Sequence, residues 1–108
     1  MNLREILRAR QTLRGLIWPT PLLRSAWLSE HRSADVYLKL ENLQLTGSFK
    51  VRGALYKLAR LGPTAREREL FTVSAGNHGR AVAYGAELFN ARATIIVPRT
   101  AAPTKIEA

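Results

Sequence analysis

Two β-prone runs, Leu70-Phe71-Thr72-Val73 and Ala93-Thr94-Ile95-Ile96-Val97, bracket a helical stretch from Arg80 to Phe89. A crossover of that length lays the second strand parallel to the first. The spacing therefore predicts a βαβ unit and an α/β fold with a parallel sheet. Helices cover parallel sheets on both faces, so both runs are expected to be buried, with Pro98 closing the second. A further strand is expected over Asp35 to Leu40, where Val36, Leu38 and Leu40 alternate with Tyr37 and Lys39 as in a half-buried strand. Three strands with few covering helices would leave apolar surface and strand edges bare. The chain also stops at Lys105-Ile106-Glu107-Ala108, midway through a helix that opens at Ala102-Pro103. The expectation is a cut rather than a natural end, with residues 1–108 forming one incomplete domain.

Elsewhere the local signals are plain. Leu3, Ile6, Leu7, Ala9 and Leu13 recur near helical spacing, and Gly15 offers a stop. Trp18-Pro19-Thr20-Pro21-Leu22 must be extended, because each proline fixes its own φ and moves its predecessor out of the α region. Ser25 can cap a short helix through Leu28. Glu41 to Gly47 reads as a loop. Ser48 then caps a helix whose apolar stripe is Val51, Ala54, Leu55, Leu58 and Leu61, ended by Gly62-Pro63. Arg66 and Arg68 alternate with Glu67 and Glu69, as in a solvated helix turn.

Composition narrows the class. At 108 residues the chain suffices for one domain and not for two. It has no cysteine, which excludes disulfides, thiolate metal sites and Cys nucleophiles, and no other metal ligand set is read from it. The N-terminus is charged throughout and lacks the apolar core of a secretory signal. No apolar run approaches a membrane span. A cytoplasmic protein without membrane contacts is expected. The net charge of +9 raises nucleic-acid binding through phosphate neutralisation. The basic residues are nevertheless spread from Arg4 to Lys105, without adjacent runs or aromatic interleaving, so no nucleic-acid partner is expected.

Two segments carry chemistry. Lys39 to Ala54 delivers Lys50 to the first turn of a helix, directly after a glycine-containing loop. Free N–H groups at that end create a positive field that disfavours an ammonium, and a neutral amine is what Schiff-base chemistry requires. The alternative is an exposed lysine on an amphipathic helix. Ser74-Ala75-Gly76-Asn77-His78-Gly79 follows a strand and opens a helix, aiming several backbone N–H groups at one spot. Gly76 permits a tight bend with close backbone approach, and Ser74 and Asn77 add side-chain donors. The cup suits a carboxylate or phosphate, although it is neither a dinucleotide fingerprint nor a Walker A loop. The alternative is an ordinary strand–helix connection capped by Asn77.

Together the segments resemble one family. Leu38-Lys39-Leu40-Glu41-Asn42 with Thr46-Gly47-Ser48-Phe49-Lys50-Val51-Arg52-Gly53-Ala54 is similar to the cofactor-lysine signature of fold-type II pyridoxal-phosphate enzymes. Thr20-Pro21-Leu22, Ser74 to Gly79, and Ile96-Val97-Pro98 followed by Lys105 are similar to further motifs of that family in the same order. The resemblance runs from about Thr20 onward and points to the threonine/serine dehydratases and their serine racemase relatives. It implies the N-terminal portion of the catalytic domain of a tryptophan synthase β-like fold, with parallel strands and flanking helices. It implies that Lys50 holds pyridoxal 5′-phosphate covalently and later acts on the Cα proton. Phe49 would pack near the pyridine ring, and Asn77 would hydrogen-bond the cofactor's 3′-oxygen. Ser74, Ala75, Gly76, Asn77 and His78 would grip the substrate carboxylate. The implied reaction is α,β-elimination of a small hydroxy amino acid, threonine or serine, to a 2-oxo acid and ammonia, in an enzyme that is a homo-oligomer at full length.

Racemases resembling this chain carry a serine where Ala75 stands, so dehydration is expected over racemisation. His78 is expected to bind or support rather than to act as a base, and His31 to be a surface residue. Glu41 and Asn42 read equally as supports of the site or as loop caps. Arg52 is expected on a solvated helix face, with a carboxylate partner as the alternative. The family's Gly-rich phosphate loop does not occur in these residues, so the 108-residue chain alone is expected to bind the cofactor weakly and turn over nothing measurable. Other fold-type II activities, such as cysteine or threonine synthesis, and an inactive fragment or basic binding module remain as alternatives.

Overall fold

The computed structural model describes residues 2–101 and Thr104. Its elements are α1 (Leu3–Thr12), β1 (Leu22–Arg24), α2 (Ala26–Arg32), β2 (Tyr37–Lys39), a 3-10 turn at Glu41–Leu43, α3 (Lys50–Leu61), α4 (Thr64–Glu67), β3 (Leu70–Val73), α5 (Asn77–Leu88) and β4 (Ala93–Ile96). The helix anticipated at Ala102-Pro103, and Lys105, lie outside the described residues.

The βαβ unit forms as its spacing requires. β3 and β4 are parallel, with Leu70 opposite Ala93 and Val73 opposite Ile96, and α5 is the crossover. The third strand does not join them. β2 pairs antiparallel with β1, Leu22 opposite Lys39 and Arg24 opposite Tyr37. The cause is local: α2, capped by the Ser25 hydroxyl on the Leu28 N–H, ends at Ser33 in the left-handed conformation, and the chain turns back on itself. β2 is exposed along its length, so its alternation does not mark a buried face.

The β3–β4 strands are not buried as expected either. Leu70 and Thr72 are half-buried, whereas Phe71 and Val73 are 67% and 71% exposed. Successive strand residues point to opposite faces, and here helices cover only one of them.

Helix boundaries follow their caps. α1 opens with a reciprocal box, the Glu5 N–H donating to Asn2 Oδ1 at 3.0 Å and the Asn2 N–H to Glu5 Oε2 at 2.8 Å. It stops at Thr12, earlier than Gly15, which instead turns the chain at φ +80°. Its apolar residues Leu3, Ile6 and Leu7 are exposed, while Leu13 just beyond it is buried.

The core lies between α3 and α5. Leu13, Val51, Ala54, Leu55 and Ala81 form one buried cluster, each large aliphatic in it contributing about 1.5–3 kcal/mol on burial. Gly85 allows the helices to close up: a Cβ there would lie 2.5 Å from Leu58 Cδ1 and 3.3 Å from Leu55 Cδ2. Ala81 clusters with Val51 to Leu55, and one turn later Gly85 meets Leu55 and Leu58. The two helices therefore run in the same direction, and both N-termini open at the same end of the molecule.

Candidate active site

Lys50 sits in the first turn of α3, exposed, with its amine 5.1 Å from the centroid of the exposed Phe49 ring. Phe49, not the expected Ser48, is the N-cap of α3 and makes no side-chain cap hydrogen bond. Ser48 Oγ accepts from the Lys50 N–H at 3.3 Å, and Phe49 already has helical dihedrals.

The segment before the lysine, read as a loop, is a partly buried polar structure. Arg52 Nε and Nη2 donate to the two Glu41 carboxylate oxygens at 2.7 and 2.6 Å, and Thr20 Oγ1 donates to Glu41 Oε1 at 2.5 Å. Arg52 is thus paired, the alternative to the solvated face that was expected, and the Glu41 carboxylate is taken up by Arg52 and Thr20. The bound guanidinium holds the Glu41 carboxyl below the usual carboxylate range, against the opposing effect of burial. Asn42, exposed on the 3-10 turn, has no such place.

Gln44 was not singled out from the sequence. Its side chain accepts from the Trp18 N–H at 3.0 Å and donates to the Trp18 carbonyl at 2.9 Å, pairing with that backbone as a strand would. A glutamine between Leu43 and Leu45 was the available signal, because a buried amide must find partners.

The second segment lies where α5 begins. Gly76 is its N-cap and supplies no side-chain hydrogen bond to the first turn. Ser74 Oγ is turned back to accept from the Gly76 N–H at 3.3 Å, and Asn77 is the first helical residue rather than a cap. Ser74 and Ala75 are half-buried, while Gly76, Asn77 and His78 are exposed. Gly76 makes its turn without a left-handed backbone. Its φ of −150° is open to any residue, and a Cβ there meets nothing within 4 Å. The close approach belongs to Gly79, whose Cβ would lie 2.8 Å from the Ser74 carbonyl oxygen.

The two segments meet in space. A cavity of about 410 Å³ is lined by Leu45 and Thr46 from the first and by Ser74, Gly76 and Gly79 from the second. Thr46 Oγ1 is buried there without a hydrogen-bond partner among the described residues. Lys50, Phe49, Asn77 and His78 do not line this cavity; they are exposed at the helix ends. His31 is exposed on α2, its Nδ1 2.8 Å from the Trp27 carbonyl oxygen.

A parallel βαβ unit, a lysine on the first turn of one helix and an uncapped helix N-terminus opening beside it define a class. The chain belongs to the pyridoxal-phosphate dependent enzyme family, which matches residues 13–108. It is 45% identical to the L-threonine ammonia-lyase of Thermotoga maritima over 106 residues, 98% of this chain and 26% of that protein. To the catabolic L-threonine dehydratase of Staphylococcus aureus it is 41% identical over 109 residues, 100% of this chain and 32% of that protein. The fold superposes on serine racemase from Dictyostelium discoideum with a TM-score of 0.90 at 33% identity, covering 99% of this chain and 35% of that one. A threonine deaminase isoform from Solanum lycopersicum gives 0.80 at 28% identity, covering 99% and 31%. The chain thus spans between a quarter and a third of the curated relatives it matches. These comparisons place the chain in a family of pyridoxal-phosphate dependent enzymes and give it the fold-type II architecture of its structural neighbours.

The residues present suit that cofactor. An exposed primary amine is available to an aldehyde, the first turn of α5 lacks a side-chain cap, and Gly76 borders the cavity with open space where a Cβ would stand. No described helix is long and apolar enough to cross a membrane.

Proposed function

We propose that the protein is an ammonia-lyase that converts L-threonine or L-serine to the 2-oxo acid and ammonia by α,β-elimination. The observation that carries this reading is the co-directed packing of α3 and α5, which puts the Lys50 amine and the uncapped turn at Asn77 at one end. The names of the relatives support the substrate class.

Lys50 would hold the cofactor through Nζ, Phe49 would pack near its ring, and Asn77 would donate to its 3′-oxygen. Bound there, pyridoxal phosphate supplies an electron sink for the pair left on Cα when a proton departs. Lys50 Nζ takes that proton. The backbone N–H groups opening α5, with Ser74 to His78 around them, hold the substrate carboxylate as a helix N-terminus holds any anion. Overall the substrate loses its Cα proton and β-hydroxyl as water, then takes up water to give the oxo acid and ammonia. The work falls in the cytoplasm, with a small hydroxy amino acid as partner and a homo-oligomeric full-length enzyme.

Racemisation is the second reading, favoured by the similarity to serine racemase structures. Ala75 weighs against it, because a methyl group cannot return a proton to the opposite face. Rapid D-serine formation in a chiral assay would reverse that preference.

The test uses the full-length polypeptide. Borohydride reduction in the presence of cofactor should label Lys50, and Lys50→Ala should lower oxo-acid formation by about 10³-fold or more. Label found on another lysine, or a fully active Lys50→Ala variant, would sink the reading.

A further inference from the structure

We infer that Glu41, Arg52 and Thr20 are positioning residues for Lys50: they set the rotation of the first turn of α3, and with it the direction in which the amine is presented. The inference rests on Lys50 being the residue that holds the cofactor, as proposed above.

Residues two apart on an α-helix are separated by about 200°, so side chains 50 and 52 leave the helix on nearly opposite sides. Arg52 is held at two points, at 2.7 and 2.6 Å, and a planar fork on a carboxylate fixes orientation as well as distance. Glu41 cannot swing to follow a rotating helix. Its Oε1 also accepts from Thr20, which is buried and whose own carbonyl accepts from Lys39 Nζ at 2.5 Å. The intervening loop is fastened in the middle by Gln44 to Trp18 and at its end by Ser48 to the Lys50 N–H. The polar tethers thus act on residues around Lys50, while the lysine side chain stays exposed. A partly buried ion pair contributes little net stability once desolvation is counted. A fixed azimuth is what this one supplies in addition.

The experiment measures the rate at which pyridoxal phosphate is trapped on Lys50 by borohydride in the full-length polypeptide, well below its unfolding temperature. The pH dependence of the bound cofactor's visible band is followed alongside. Glu41→Gln and Arg52→Lys are each expected to slow trapping by about tenfold or more, as small misplacements of reacting groups do, and to move the pH midpoint of the band. Thr20→Val, milder and nearly isosteric, should slow trapping less, and Thr20→Ser should restore the rate because it keeps the hydroxyl. If folded Glu41→Gln, Arg52→Lys and Thr20→Val proteins trap at the wild-type rate with an unmoved band, the positioning role is overturned while Lys50 stands. If the unaltered protein carries no label on Lys50, the parent reading falls and this one with it.

Discussion

A methyl group placed on Gly76 meets nothing within 4 Å, whereas one placed on Gly79 lies 2.8 Å from the Ser74 carbonyl oxygen and 3.2 Å from Ile95 Cγ2. The two glycines of one motif therefore do different work, and two substitutions separate them. Gly76→Val should leave the thermal midpoint near wild type and raise KM for the amino acid, because its side chain enters only the space in front of α5. Gly79→Ala should destabilise by about 1–3 kcal/mol, as backbone overpacking does, despite the better helix propensity of alanine. Thermal unfolding beside steady-state kinetics reads both. A Gly76 variant that unfolds early, with unchanged KM, would show that the position serves the fold. The sequence marked both glycines, but the internal contact at Gly79 was not legible, since sequence carries no distances to Ser74 or Ile95.

At the scale of elements, α3 does most to organise the site. Leu55 is fully buried where α3 meets α5. Leu55→Ala should cost about 2–5 kcal/mol, measurable by chemical denaturation, and loosen the pairing of the two helix N-termini. The Glu41–Arg52 pair gives a pH signature. Because the folded state depresses the Glu41 carboxyl pKa, the unfolded state binds that proton more readily. Its stabilisation is therefore present above the unfolded carboxylate value and is lost as pH falls through the lower folded one. Denaturation midpoints of wild type and Glu41→Gln should differ at about pH 7 and converge as pH falls below the ordinary carboxylate range; a constant gap would mean the charge contributes nothing. The helical stripe of α3 was legible because it is local. The partner of Arg52 was not, because Glu41 lies beyond the loop and any carboxylate would have served.

For the whole molecule, the radius of gyration is 16.5 Å, against about 13 Å for a compact domain of this length. Large apolar side chains at Trp18, Trp27, Phe71, Val73 and Ile96 are exposed. The 108 residues expressed by themselves are expected to bind a hydrophobic dye, capture pyridoxal phosphate weakly and release no oxo acid from threonine. Robust deamination by that polypeptide alone would contradict this.

The βαβ unit, the lysine at a helix start and the family could be read from residue order alone, since these rest on periodicity, chain direction and short motifs that neighbours along the chain decide. The sequence left the partner of β2 unread, overestimated the burial of β3 and β4, ranked the pairing of Arg52 behind a solvated face, and passed over Gln44. Strand partnership, coverage of a sheet face and hydrogen bonds across a loop depend on which distant segments arrive together. Those were settled in three dimensions, where α3 and α5 pack side by side in one direction and hydrogen bonds with Trp18 and Thr20 fasten the loop between Glu41 and Lys50.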